Sequence, residues 1–163
     1  MTMKRVLHLQ SMAATIRHLQ SLVQLEEDDS VTASQPARAM QDHIQDMIET
    51  ERRYQAWMSE VMQHTQPRLN PATHEPSPPE DGSTLEHLVE TFTGARKETL
   101  AYLTDLAPED WQRTAIHPQG GEITFHQLVG RLTLHDRHHL KKLRSRVAGG
   151  TSGPDPASGT YKR

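Results

Sequence analysis

Hydrophobic residues recur at three- and four-residue steps in four stretches of the chain, and polar residues fill the positions between them. This spacing places the hydrophobic residues on one face of an α-helix, which completes a turn about every 3.6 residues. Breaks rich in proline, glycine and serine separate the four stretches. The pattern therefore predicts an all-α protein with four helices, over residues 4–25, 35–61, 85–103 and 125–147.

Three of the predicted helices are preceded by residues that cap helix N-termini. Ser34 precedes the second helix, and Ser83 or Thr84 precedes the third. Thr124 precedes the fourth and is followed three residues later by Gln127, which is the spacing of a capping box. These caps support the helix boundaries that the hydrophobic pattern predicts.

The connections between the helices differ in length. Five prolines lie between Gln66 and Gly82 and exclude a regular helix there, whereas the connection before the fourth helix contains a turn closed by Gly120 and Gly121. We therefore expect a four-helix bundle with a long crossover between helices 2 and 3. Residues 1–147 would form this one domain, followed by a disordered C-terminal tail over residues 148–163.

Composition and charge narrow the functional classes. The net charge is −3 and Lys and Arg form no dense run, so we expect no nucleic-acid partner. No apolar run approaches the roughly 20 residues of a membrane span, and the N-terminus has no continuous apolar segment of a secretory signal. We therefore expect a cytoplasmic protein without a membrane partner. The absence of cysteine excludes disulfides and thiolate metal sites.

Eleven histidines are the outlier of the composition, and two of them fall on the apolar stripe of the fourth helix. His135 and His139 share this stripe with Leu132 and Leu143, whereas His138 falls on a polar flank. The i, i+4 spacing places the two imidazoles one helical turn apart. A helix can present two nitrogens to one metal ion in this way.

His43 occupies the equivalent inward position on the second helix, between Met40 and Met47. Three inward histidines on two helices would leave a coordination position open for water, as a catalytic metal needs. Three imidazoles and water suit zinc or nickel, with iron or manganese as alternatives. The other interpretation of each histidine alone is a buried side chain that bonds a carbonyl or a carboxylate.

Two charged residues also lie on inward stripes. Glu51 follows His43 by two turns on the second helix, and Arg96 lies on the third. Because isolated buried charges are costly, we expect the two to form an ion pair. The functional alternative is that Glu51 orients a ligand histidine or acts as a general base toward metal-bound water.

Two sequence segments carry a family resemblance. HIQDMIETERRY at 43–54 is similar to the second-helix signature of the DinB/YfiT superfamily, and HPQGGEITFHQLVGRLTLHDRHHLKKL at 117–143 resembles the end of its domain. The likeness covers about residues 10–146. It implies a four-helix bundle with a crossover, and a metal-binding triad of His43, His135 and His139.

The resemblance also implies two hypotheses about function. The first is a divalent-metal-dependent enzyme that acts on a small molecule, by hydrolysis or by transfer to a low-molecular-weight thiol. Glu51 and Arg96, selected by their inward positions and not by the resemblance, are its candidate catalytic residues. The second is a non-catalytic stress-response or binding protein built on the same bundle. A homodimer through exposed helix faces is compatible with either hypothesis.

Overall fold

The computed structural model describes residues 3–28, 35–74 and 82–149. In this part of the chain, four helices are joined by two short 3₁₀ turns, Pro71–Thr73 and Pro108–Gln112, and by one β-hairpin. The helices are α1 (Met3–Asp28), α2 (Gln35–Gln63), α3 (Leu85–Asp105) and α4 (Phe125–Gly149), and the strands are β1 (Thr114–His117) and β2 (Gly121–Thr124).

The four helices form a bundle in which α1 and α2 each pack against both α3 and α4. Gln41 bonds the backbone of Ser83 near the start of α2 and α3. Tyr102 bonds the backbone of Met58 near the ends of the same two helices, so α2 and α3 are parallel. The long connection after α2 is therefore a crossover that returns the chain to the starting end, as the sequence predicts.

The helix boundaries agree with the hydrophobic pattern to within a few residues, and two of the predicted caps are present. The Thr84 side chain accepts a hydrogen bond from the His87 backbone N–H at the start of α3. Thr124 and Gln127 form the predicted capping box, because each side chain accepts the backbone N–H of the other residue at 3.2 and 2.8 Å. Ser34 lies outside the described residues.

The sequence predicts only a turn between α3 and α4, whereas the structure contains a β-hairpin there. β1 and β2 pair antiparallel, and β1 also bonds the start of the crossover, since the backbone of Ile116 accepts a hydrogen bond from Leu69 and donates one to Pro67. Four-residue strands carry too little alternation to stand out in a sequence. His117 of β1 is only 6% exposed because its ring packs against Trp57.

The core of the bundle consists of two hydrophobic clusters at opposite ends. One gathers residues such as Met58, Leu103 and Leu128, and the other gathers residues such as Met47 and Phe92. A layer of buried polar side chains lies between them on all four helices: Thr15, Glu51, Arg96, Thr99 and Asp136.

None of the helices in the described part of the chain is both long and apolar enough to cross a lipid bilayer. Helix α4 extends two residues past the predicted end of the domain, to Gly149. The remainder of the predicted disordered tail, residues 150–163, lies outside the described residues.

Candidate metal centre

The candidate site lies where α2 and α4 pack side by side in opposite directions. His135 and His139 project from one face of α4, one turn apart. His43, Asp46 and Thr50 project from one face of α2. The antiparallel direction places His43 beside His139 and Thr50 beside His135. The four-residue periodicity of both helices therefore brings all five side chains into one region.

Three of these side chains bring their ligand atoms close together. Asp46 Oδ2 lies 2.8 Å from His139 Nε2 and 3.4 Å from His135 Nε2. The two histidine Nε2 atoms are 3.1 Å apart. One ligand atom from each of Asp46, His135 and His139 lies within 4.8 Å of the others, which is close enough for all three to bind one ion.

His43 contacts the same cluster from the other side of His139. Its Nδ1 lies 3.1 Å from Nδ1 of His139, whereas Nε2 of His139 faces Asp46 and His135. As the rings are oriented, His43 adjoins the three-residue group and does not share its central point. The triad of His43, His135 and His139 thus remains a prediction, and His139 contacts each of the other two histidines.

The donor set fits a divalent transition metal. Two imidazoles with one carboxylate form a common zinc site, and they also suit non-haem iron. Among the described residues, Nδ1 of His135 is buried without a hydrogen-bond partner, and its Nε2 is within 3.4 Å of three polar groups, from Thr50, Asp46 and His139. Nε2 can hydrogen-bond only one of these groups at a time, whereas a cation lying among them would contact the Asp46 carboxylate and both imidazoles together.

Charge and exposure give the site an open side and a closed side. Hydrogen bonds with His135 and His139 hold the pKa of the Asp46 carboxyl far below its usual range, so this group is an anion ready to bind a cation. The Asp46 side chain is 58% exposed, whereas that of His139 is 8% exposed. The Asp46 side is therefore the open side of the site.

The sequence pattern did not predict Asp46 as a metal ligand. It lies within the HIQD segment, three residues after His43 and four before Thr50, so helical periodicity places it on the same face. The hydrophobic pattern did not select it because the residue is exposed. A search for carboxylates one turn from an inward histidine would have found it.

Glu51 and Arg96 form the ion pair that the sequence predicts, and both side chains are 0% exposed. Arg96 donates to both carboxylate oxygens of Glu51, at 2.9 and 2.7 Å. It also donates to both oxygens of Asp136, at 2.6 and 2.9 Å. The hydroxyls of Thr99 and Thr15 each donate to one of the two carboxylates. Arg96 thus joins carboxylates from α2 and α4 and is itself part of α3.

This buried network lies directly behind the candidate metal centre. Glu51 follows Thr50 in α2, and Asp136 follows His135 in α4. The Glu51 carboxylate is bonded to Arg96 and Thr99, which both belong to α3. These contacts favour a structural role for Glu51 and Arg96. The catalytic role that we considered for them remains a prediction.

Periodicity separated the three neighbouring histidines of α4 correctly. His138 is exposed and lines a groove between α1 and α4, on a different side of the helix from the metal centre. His135 is partly buried and His139 is buried.

Comparisons with known proteins support this picture of the fold. A solved structure of YfiT from Bacillus subtilis, described as a probable metal-dependent hydrolase with an unusual four-helix bundle topology, superposes with a TM-score of 0.68. The two chains are 15% identical, and the match covers 94% of this chain and 91% of YfiT. No curated protein matches the sequence.

A family model extends the same relationship to the sequence. The model of the DinB superfamily matches residues 12–143, which include α2, α3, most of α1 and α4, and each residue of the candidate metal centre. With the bundle, the crossover and the inward histidines already present in the structure, this match shows that the chain belongs to the DinB superfamily.

Proposed function

We propose that this protein is a divalent-metal-dependent enzyme that acts on a small molecule, as a hydrolase or a thiol S-transferase. The convergence of Asp46, His135 and His139 on one point carries the proposal. The description of YfiT as a probable metal-dependent hydrolase adds support from a protein with the same fold.

Asp46, His135 and His139 would hold the metal, with His43 as a fourth candidate ligand. A divalent metal in this position lowers the pKa of a bound water or thiol, and so supplies a nucleophile near neutral pH. The Thr50 hydroxyl lies 3.3 Å from His135 Nε2, the nitrogen that would bind the metal, so Thr50 borders the metal position on the α2 side. The exposed flank at Asp46 leaves space for the substrate.

Zinc or nickel is our proposal for the metal. Zinc binds readily to three imidazoles and equally to two imidazoles with a carboxylate, so either ligand set described above accommodates it. Nickel is compatible with imidazole donors and stands just below copper in the affinity order of divalent metals.

The first experiment measures metal in protein that is purified without a histidine tag. We expect about one equivalent of a divalent metal by elemental analysis. Calorimetry of the metal-free protein should then give a dissociation constant that His139→Ala and His135→Ala each raise by more than about 100-fold, since even residues that only support a ligand contribute about 10- to 100-fold.

His138→Ala is the matched control, because it removes an exposed imidazole from the same helix. We expect it to leave metal affinity unchanged. If the wild-type protein binds no metal, or if His138→Ala weakens binding as much as His139→Ala, the proposal is wrong. A screen of the metal-loaded protein with ester, amide and thiol-acceptor substrates then tests for catalysis, and failure across the screen would favour the non-catalytic alternative.

A further inference from the structure

Two cationic side chains continue the metal-binding face of α4 toward its C-terminus. Lys142 and Arg146 follow His139 by three and seven residues. Because each residue of an α-helix advances by about 100° and 1.5 Å, both lie on nearly the same side of α4 as His135 and His139. Their Cα atoms are about 4.5 and 10.5 Å further along the helix axis than that of His139.

Both cations are exposed, and neither forms an ion pair with a carboxylate among the described residues. Their charge acts on the candidate site. They lie about one and two helical turns beyond His139 on the same side of α4, so two positive charges adjoin the candidate site. The acidic groups on the facing part of α2 are Asp46, which belongs to the metal-binding group, and the exposed Asp42.

A metal-loaded site therefore has an excess of positive charge on the side that faces the C-terminus of α4. A divalent cation more than balances the Asp46 carboxylate, and Lys142 and Arg146 add two further charges on the same face. Positive charges clustered around an open site attract anions and raise their local concentration.

We propose that the substrate of this site is a small anionic molecule whose charged group is held by Lys142 and Arg146 while its reactive group reaches the metal-binding residues. This inference rests on the proposed function. The separations along the helix place the anionic group within a few bonds of the reactive group, so the expected ligand is compact.

Three thiols of similar size and different charge test the proposal: mercaptoacetate, 2-mercaptoethanol and cysteamine. Each is titrated into Co²⁺-loaded protein, and binding is followed by the absorption band of the thiolate–cobalt bond. We expect the wild-type protein to bind mercaptoacetate most tightly. In Lys142→Glu/Arg146→Glu the affinity for mercaptoacetate at low salt should fall about tenfold more than that for 2-mercaptoethanol, whose only charge is the thiolate itself.

Lys141→Glu/Arg144→Glu is a charge-matched control on the same helix. Lys141 and Arg144 line the groove between α1 and α4, away from the metal centre. We expect this variant to keep the wild-type preference for mercaptoacetate. The preference itself should shrink as salt rises, since screening shortens the range of such interactions to about 10 Å at 0.1 M.

The outcomes separate this inference from the proposed function, because cobalt loading is measured first. A protein that binds no cobalt contradicts both proposals. If cobalt binds but the three thiols bind alike, or not at all, only the anionic substrate is ruled out. Equal loss of mercaptoacetate affinity in both double variants also overturns it, because the effect would then come from net charge alone.

Discussion

At the scale of single residues, the two nitrogens of His139 have different neighbours. Nε2 faces Asp46 and His135, and Nδ1 faces His43. A metal ion bound to one nitrogen leaves the other free to bond a neighbour, and that second bond orients the ring. In this structure His43 is therefore placed to orient the His139 ring. The predicted triad instead makes His43 a metal ligand.

Asp46→Asn distinguishes these two ligand sets. The amide has no charge, so metal affinity should fall at least about tenfold if the carboxylate binds the ion. Calorimetry with Zn²⁺ measures the change, and Asp42→Asn, an exposed acidic residue of the same helix, is the control. Unchanged affinity in Asp46→Asn, together with a large loss in His43→Ala, would show that three histidines bind the metal without the carboxylate.

Arg96→Met tests the buried network at the same scale. It leaves the carboxylates of Glu51 and Asp136 without their shared partner, so we expect a loss of about 3–5 kcal/mol in the free energy of unfolding. Urea denaturation measures this loss. The exposed Arg52→Met should change stability by less than about 0.5 kcal/mol. A loss below about 1 kcal/mol in Arg96→Met would contradict the role of this residue.

At the scale of elements, α4 carries both site histidines and its first turn depends on the capping box. Thr124→Ala removes one half of that box, and we expect the free energy of unfolding to fall by about 1 kcal/mol. Thermal and urea denaturation measure the effect. Thr104→Ala, at an exposed threonine inside α3, should cost less than about 0.5 kcal/mol. Equal losses in the two variants would count against the cap.

The hairpin is a second element with a measurable dependence on one side chain. His117 Nδ1 accepts the backbone N–H groups of Gln119 and Gly120 and so holds the turn. Burial, with a smaller contribution from the charge of Arg131, lowers the pKa of His117 in the folded protein. The unfolded chain therefore binds a proton more readily, and stability is lost as the pH falls below about 6.5.

His117→Asn tests this dependence, because asparagine offers an acceptor oxygen but does not titrate. We expect the melting temperature of the wild-type protein to fall between pH 7.5 and pH 5.5, and to fall less in the variant. Differential scanning calorimetry at the two values measures both changes. An equal fall in the two proteins would show that other groups account for the whole effect.

At the scale of the whole molecule, the polar layer divides the core into two clusters that share few partners. Ile48 belongs to one cluster and Ile123 to the other. Each Ile→Val substitution should cost about 0.5–1.5 kcal/mol. Because distant sites contribute independently, the double variant should lose the sum of the two to within about 0.5 kcal/mol in urea denaturation. A larger coupling would mean that the clusters act as one.

The sequence alone determined the helices, their caps and the inward position of the three histidines. These features follow from local rules: the helical period selects the buried face, and Thr84, Thr124 and Gln127 bond backbone groups within three residues of themselves. The pairing of Glu51 with Arg96 was also predictable, because a buried charge is costly unless a charge of opposite sign lies beside it.

The tertiary structure decided which side chains meet. The recruitment of Asp46 to the histidines and of Asp136 to Arg96 depends on the parallel and antiparallel packing of helices far apart in the chain. The hairpin depends in the same way on backbone bonds to Leu69 and Pro67 in the crossover. Helical periodicity indicates on which face of its helix a residue lies. Only the packing of one helix against another determines which side chains that residue contacts.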